Sequence, residues 1–517
     1  MFWILSLLVI ILLSVSILNY VLIVVGNLVS RAREMAVRKC YGAGRGAVYS
    51  ITFSEVCLHL VLSLTLGAAL LWACHGTIEQ LLSAPLSVLV FNRGAWILLL
   101  IALMVLFVGG IVPGWLYNRM PVTIAFHGYV EARRRWKVAL LGLEFAMVSF
   151  LLGLLFIVSM QYRHTVGFDL GYQCAGLASV NITALQPDER QTAYDEVGRM
   201  SGVRQVSACN TFPFYGMSGN NVTVPGEESQ LFNIADLFTV ADHYFDMLQI
   251  PIVAGRVFAS GSDSLKQVMV SQDFASMMKK LRGWDDVVGR KVIISEHSGN
   301  ENKDLLTIVG VYRDIHLGSA ENNGRDRPSV IFYGRAANWM NNYLLIQLDD
   351  FSVEKLTDIQ TRLQRFFPGK TILVESVENL KNMQYVATRN FRNGVMTVGI
   401  VVLFIALMGL IGYVSDEVNR RHKEIAIRKV NGACVGDVMR IFQLNILRTA
   451  IPAVLIGTVG AYWVAAQWLQ LYDNRIALTV WPFLVTIVLV LLIIVTVVAI
   501  NCWRVANSNP VEYLKQE

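Results

Sequence analysis

Long apolar runs set the plan of this chain. Residues 1–30 contain no charged side chain, and about 20 consecutive apolar residues suffice to cross a bilayer as a helix. No basic segment precedes this run and no small-residue cleavage pattern follows it. It therefore reads as a retained transmembrane helix rather than a signal peptide. The same criterion predicts seven spans, near residues 2–26, 48–74, 95–117, 138–160, 394–415, 442–470 and 481–503. Between the fourth and fifth, the apolar runs give way to about 230 residues of ordinary soluble composition. Short stretches there, rich in Val, Ile, Leu and aromatics, predict strands at 267–271, 291–294, 306–312, 329–333 and 343–348. Residues 352–366 place Val353, Leu356, Ile359, Leu363 and Phe366 on one helical face, and Pro368-Gly369 ends that helix. The predicted fold class is a membrane protein: an α-helical transmembrane domain of about seven spans carrying one α/β extracytoplasmic domain.

Composition supports this plan. Of 517 residues, 54% are hydrophobic and only 16% charged, and the mean hydropathy of +0.49 is too apolar for a soluble enzyme of this size. The distribution of the net charge of +6 gives the orientation. Connections 31–47, 118–137 and 416–441 carry five, five and six Lys or Arg, while the short connections on the other side carry one each, Arg93 and Arg475. The positive-inside rule puts the basic connections in the cytoplasm and residues 161–393 outside. That outer region holds 23 basic and 26 acidic residues, a balance that argues against a nucleic-acid partner. Of the seven cysteines only Cys174 and Cys209 fall in it, a pair able to bridge in an oxidising compartment.

Two of the basic connections are copies of one another. REMAVRKCYGA at 33–43 returns as KEIAIRKVNGA at 423–433. With a shift of 390, Glu34, Ala36, Arg38, Lys39, Gly42, Ala43, Gly46 and Val48 match Glu424, Ala426, Arg428, Lys429, Gly432, Ala433, Gly436 and Val438. Gly67 aligns with Gly457, and each unit closes on Pro-Val, at 121–122 and 510–511. Each unit thus runs helix, basic hook, helix, short loop, helix, tail, and such internal repeats relate two halves of a membrane domain. Within each hook, Glu precedes Arg by four residues, the favourable order for an ion pair on a helix, and Gly42 or Gly432 supplies a helix stop. Two roles fit: docking of a cytoplasmic partner, or a plain topology anchor. Topology needs only positive charge, so repetition of the whole Glu-Ala-Arg-Lys-Gly-Ala order favours docking.

The segment RRHKEIAIRKVNGACVGDVMRIF and the closing NPVEYL at 509–514 resemble the FtsX/MacB-type permeases of ABC transporters. HYFDMLQIPIVAGRVF at 243–258, VVGRKVII at 287–294 and LLTIVGVYRDIH at 305–316 resemble that family's periplasmic core domain. The resemblance divides the chain into a first transmembrane unit at 1–128 with its hook at 33–46, a linker and fourth span at 129–160, an ectodomain at 161–393, and a second transmembrane unit at 394–517 with its hook at 423–436. It implies that Arg33, Glu34, Arg38, Lys39 and Gly42, with Lys423, Glu424, Arg428, Lys429 and Gly432, form coupling helices that ride on a cytoplasmic ABC ATPase. It further implies residence in the cell inner (plasma) membrane with the ectodomain in the periplasm, and a periplasmic adaptor or substrate protein as a further partner. Transport of peptide, antibiotic or lipoprotein-like substrate is the leading function, and activation of cell-wall hydrolases by an FtsX-like scaffold is the alternative. Two-unit members of the family begin with a further span and ectodomain; against that pattern the resemblance implies either a missing upstream part or a degenerate half.

Candidate chemistry on the chain itself is sparse. GAGRG at 42–46 lacks the Lys-Ser/Thr of a P-loop, so ATP and Mg²⁺ are expected on a separate ATPase and no cofactor on this chain. No GxSxG or HExxH motif occurs, which points to a non-catalytic subunit. Asp314, His316 and His243 are weak metal candidates with surface or strand-end roles to weigh against them. Ionisable groups inside spans are costly, so Glu55, His59, Glu144 and Arg448 stand out. Glu55 could pair with Arg448 across the two halves; alternatively Glu55, Glu144 and Arg448 lie near the cytoplasmic edge and snorkel to it. They do not line up as a proton relay.

Overall fold

The computed structural model describes residues 2–26, 28–82, 85–90, 96–119, 135–216, 219–227, 229–258, 266–294, 305–321, 327–338, 340–421, 427–428 and 434–506. In chain order its helices are α1 (Phe2–Gly26), α2 (Leu28–Cys40), α3 (Arg45–Ala73), α4 (His75–Leu82), α5 (Leu86–Val90), α6 (Trp96–Arg119), α7 (Arg135–Val166), α8 (Pro187–Gly198), α9 (Tyr244–Met247), α10 (Gln272–Arg282), α11 (Val353–Phe366), α12 (Val377–Met383), α13 (Val386–Arg420), α14 (Val435–Leu469) and α15 (Trp481–Ala506). The chain forms two compact units. One comprises residues 1–162, 388–471 and 476–517; the other comprises 163–387 with 472–475.

In the helical unit, six helices are long and apolar enough to cross a membrane among the described residues: α3, α6, α7, α13, α14 and α15. The seventh expected span, α1, is a helix of 25 residues. The two halves repeat one packing scheme, with α3 against α6 and α14 against α15. Thr52 of α3 donates to the Gly110 carbonyl of α6 at 3.0 Å. The leucines of α3 at 58, 62, 64, 66 and 70 are more than half exposed, a surface suited to lipid and not to water. α7 is the most enclosed of the six. It meets α14 along a seam of small residues: Gly142, Ala146, Ser149 and Gly153 face Thr449, Ala453, Val454, Gly457 and Ala461. Ser149 Oγ donates to the Val454 carbonyl at 3.2 Å. Without a hydrophobic drive between helices in lipid, close backbone approach of this kind supplies the packing.

The second unit is built on a mixed sheet of β1 (Leu177–Asn181), β2 (Val203–Cys209), β3 (Gly219–Thr223), β4 (Phe232–Val240), β5 (Ile252–Gly255), β6 (Gln267–Ser271), β7 (Lys291–Ile294), β8 (Leu306–Tyr312), β9 (Ser329–Tyr333), β10 (Tyr343–Leu348) and β11 (Val374–Ser376). The order is β11-β1-β10-β2-β4-β3-β7-β8-β6-β9, with β5 beside β8. A parallel pairing of β4 with β9 closes β4, β3, β7, β8, β6 and β9 into a ring. Successive residues of β10 feed opposite faces: Leu344 and Ile346 enter the core under α8 and α11, while Leu345 enters the core of Phe212, Tyr244 and Tyr312. Burial on both faces explains why Leu344, Leu345 and Ile346 run on as consecutive apolar residues rather than alternating with polar ones.

The five expected strands form within the expected bounds, as β6 to β10. The helix expected at 352–366 forms as α11 with Ser352 as N-cap, its hydroxyl accepting from the Lys355 amide at 3.3 Å. Only the middle of its apolar stripe is used: Ile359 and Leu363 are buried, whereas Val353 and Phe366 at its two ends are exposed. Arg190 of α8 is buried and donates to the carbonyls of Leu185 at 2.9 Å, Asn338 at 3.1 Å and Asn341 at 2.6 Å. Arg190→Met orphans the Leu185 and Asn341 carbonyls, while that of Asn338 keeps the Asn341 amide, and we expect it to lower the stability of this unit by about 3 kcal/mol, read as a shifted thermal transition of the full chain in detergent.

Candidate functional site

The first hook is α2 and the turn after it. Apolar Met35 and Ala36 are buried on one side, so the helix lies down on its unit instead of standing in solvent. Its end is a Schellman stop. Gly42 has φ +92, its N–H bonds the Lys39 carbonyl at 3.0 Å, and the Ala43 N–H reaches back to the Arg38 carbonyl at 3.0 Å. Glu34 and Arg38 form the i,i+4 pair at 2.9 Å, half exposed on both sides. Lys39 turns the other way. Its ammonium donates to the carbonyls of Tyr117 at 2.7 Å and Asn118 at 3.3 Å, at the last turn of α6, where a helix leaves carbonyls unsatisfied. Burial there lowers the Lys39 pKa from its ordinary value. Asn118 Nδ2 answers by donating to the Arg45 carbonyl at 3.4 Å. Lys39 is thus a clasp between hook and α6, and the face left for a partner consists of Glu34, Val37, Arg38 and Tyr41, spaced i, i+3, i+4, i+7. Tyr41 is 89% exposed and Val37 40%.

Arg33 lies on α2 with its side chain outside the described residues, as do Lys423, Glu424, Lys429 and Gly432 of the second hook in full. Residues 427–428 are helical, with Arg428 exposed and Ile427 55% exposed. Ile427 is the repeat partner of Val37, so each hook shows one β-branched apolar residue outward among its charges. That signal lies in the repeat alignment, yet charge and glycine alone do not single it out. The second hook leads straight into α14, whose N-terminus is a capping box: the Cys434 N–H donates to Asp437 Oδ2 at 3.1 Å.

The intramembrane candidates separate. Glu55 is half-buried on α3, whereas Arg448 is exposed on α14 and forms no ion pair among the described residues, so the Glu55–Arg448 pair is not made. Glu144 does not snorkel. It is fully buried, because α7 occupies the middle of its unit. In the outer unit, Asp314 Oδ1 accepts from the Asp273 amide at 2.8 Å at the start of α10. His316 is buried, with its ring edge-on to Phe168 at 5.2 Å. His243 has φ 68 and precedes α9. No cluster of three or more metal-ligating side chains occurs among the described residues. Cys174 and Cys209 are separate buried thiols in one core cluster. Burial raises Cys174 to about 11 and pushes Cys209 well above the ordinary thiol range. Only the thiolate alkylates, so raising the pKa lowers the rate at pH 8. Native protein should label at Cys174 about a hundredfold more slowly than denatured protein, with the rate climbing as pH approaches 11, read by mass spectrometry.

Comparison with known proteins bears on the same segments. A model of the FtsX-like permease C-terminal family matches residues 6–122 and again 396–510, two copies that start 390 residues apart. A model of the MacB-like periplasmic core domain matches residues 138–365. Among solved structures, the periplasmic region of MacB from Actinobacillus actinomycetemcomitans is 13% identical with a TM-score of 0.29, over 41% of this chain and 94% of that one. The extracellular domain of the noncanonic ABC-type transporter YknZ from Gram-positive bacteria is 13% identical with a TM-score of 0.26, over 38% of this chain and 99% of that one. No curated protein matches. With a repeated helical unit that fits one family model twice and an outer unit that fits the other, this multi-pass membrane chain belongs to the FtsX-like ABC transporter permeases that carry a MacB-like periplasmic core domain.

Proposed function

We propose that this permease is a mechanical transmitter in the inner membrane. A separate cytoplasmic ATPase, holding ATP and Mg²⁺, moves the two hooks, and the helices hand that motion to the periplasmic domain. The observation that carries this is the amphipathic hook: buried Met35 and Ala36 fix α2 to its unit while Val37, Arg38 and Tyr41 stand outward, with Ile427 repeating Val37 in the second copy. A route onward is also built. The second hook runs into α14, the small-residue seam couples α14 to α7, and α7 continues by covalent chain into the outer unit. The cargo class is a peptide, antibiotic or lipoprotein-like molecule handled on the outer side.

Cysteine placed at 41 or 427 tests the docking. Y41C and I427C are expected to cross-link to a P-loop ATPase in membranes and to be labelled only from the cytoplasmic side. Labelling from the periplasmic side overturns the proposal.

A further inference from the structure

Glu144 is fully buried about a third of the way along α7, and neither carboxyl oxygen has a hydrogen-bond partner among the described residues. Asn19 of α1 is 6% exposed, and its Oδ1 is likewise unpartnered. The other end of that amide fixes its direction, since Nδ2 donates to the Ile405 carbonyl of α13 at 2.5 Å. Both orphaned oxygens converge on Gly409 of α13. Asn19 Oδ1 and Glu144 Oε1 each lie 2.9 Å from the place a Cβ would take there, so the two are no more than twice that distance apart. Gly409 leaves open the space into which two other helices each send an acceptor.

Two facing acceptors with no donor between them are an unstable pair. An unpaired carboxylate in a bilayer interior costs several kcal/mol. The described charged groups on the surrounding helices do not neutralise it. α1 carries no charged residue. On α7 the neighbouring charge, Lys137, stands seven residues away, about 10 Å along the axis, and is engaged by Asp416 of α13 at 3.3 Å. Glu417 of α13 is paired with Arg421 at 2.7 Å. On α14, Arg440 and Arg448 are exposed. Arg119 of α6 lies over Trp115 at 4.1 Å. A single proton supplies what is missing, converting one acceptor into a donor aimed at the other.

We infer that Glu144 and Asn19 form a buried proton-binding site, in which Glu144 is held as the neutral carboxylic acid and donates its O–H to Asn19 Oδ1 above Gly409. The proton joins α7 to α1, and the other end of the Asn19 amide joins α1 to α13, so one proton clasps three helices. Separation of these helices admits water, lets the carboxyl ionise and releases the proton.

Infrared difference spectra of the full chain in detergent test this directly. Subtraction of E144Q from wild type at neutral pH should leave the carbonyl stretch of a protonated carboxylic acid, and N19L should shift that band by removing its acceptor. An ionised-carboxylate band in its place overturns the proposal. Thermal melts give an independent readout. The folded state holds a proton that the unfolded chain gives up, so wild-type stability should fall as pH rises above the ordinary glutamate value of about 4.3 and through neutrality, and E144Q, which keeps shape and donor but cannot titrate, should lose that slope. A slope equal in both proteins overturns the proposal. So does stabilisation by Na⁺ or Li⁺ that vanishes in E144Q, since the ligand is then a metal cation.

Discussion

Val37→Asp combined with Ile427→Asp is expected to leave membrane insertion intact and to abolish retention of the ATPase. Both residues are outward-facing apolar groups at one position of the repeat. A buried apolar anchor at a protein interface contributes about 2 kcal/mol, so losing one in each hook, and burying a carboxylate in its place, weakens binding by about a thousandfold or more. The measurement is co-purification of the ATPase from detergent extracts, with the thermal transition of the permease as a control for folding. E34A/R38A is the contrasting case in the first hook. That pair is half exposed, and such surface pairs contribute well under 1 kcal/mol to stability, so any loss of ATPase there reports lost docking contacts and not a damaged hook. Normal ATPase retention by V37D/I427D removes the docking role from this face.

Gly457→Leu is expected to have the largest effect on the membrane unit. A Cβ at 457 would run into the Ala146 carbonyl and Ser149 Oγ of α7. Backbone cannot yield as a flexible side chain does, so α14 and α7 must part. Overpacking of this kind costs about 3 kcal/mol, and every small-residue contact along the seam loosens with it. We expect a lowered thermal transition and, at permissive temperature, ATP hydrolysis that no longer drives the outer domain. Gly67→Leu is the internal control. Gly67 is the repeat partner of Gly457, yet a Cβ there meets nothing within 4 Å among the described residues, and the substitution should be close to neutral. Equal damage from the two variants separates the seam from any role in coupling.

The asymmetry between these glycines marks the boundary of what the chain reveals when read as letters. Uncharged runs place the long apolar helices, with ends within about eight residues, because the bilayer selects on length and polarity, properties of one segment at a time. The hooks emerge from the repeat, and five strands and α11 from local apolar pattern, for the same reason. Lys39 looked like one more docking charge, but its partners are carbonyls 78 and 79 residues away. Glu144 looked close enough to a membrane edge to reach it, and only the placement of α7 among its neighbours buries it. The ring in the outer unit closes through β4 and β9, whose paired residues Ala235 and Ser329 are far apart in sequence. The repeat assigns Gly67 and Gly457 the same letter; contact with α7 leaves no room for a Cβ at one, while a Cβ at the other meets nothing within 4 Å among the described residues. Segment polarity and periodicity are local and additive, so the sequence by itself determined the long apolar helices, the helix and glycine stop of the first hook, and several strands. Which faces meet depends on non-local packing, where one close approach excludes the alternatives, and the tertiary structure alone decided it.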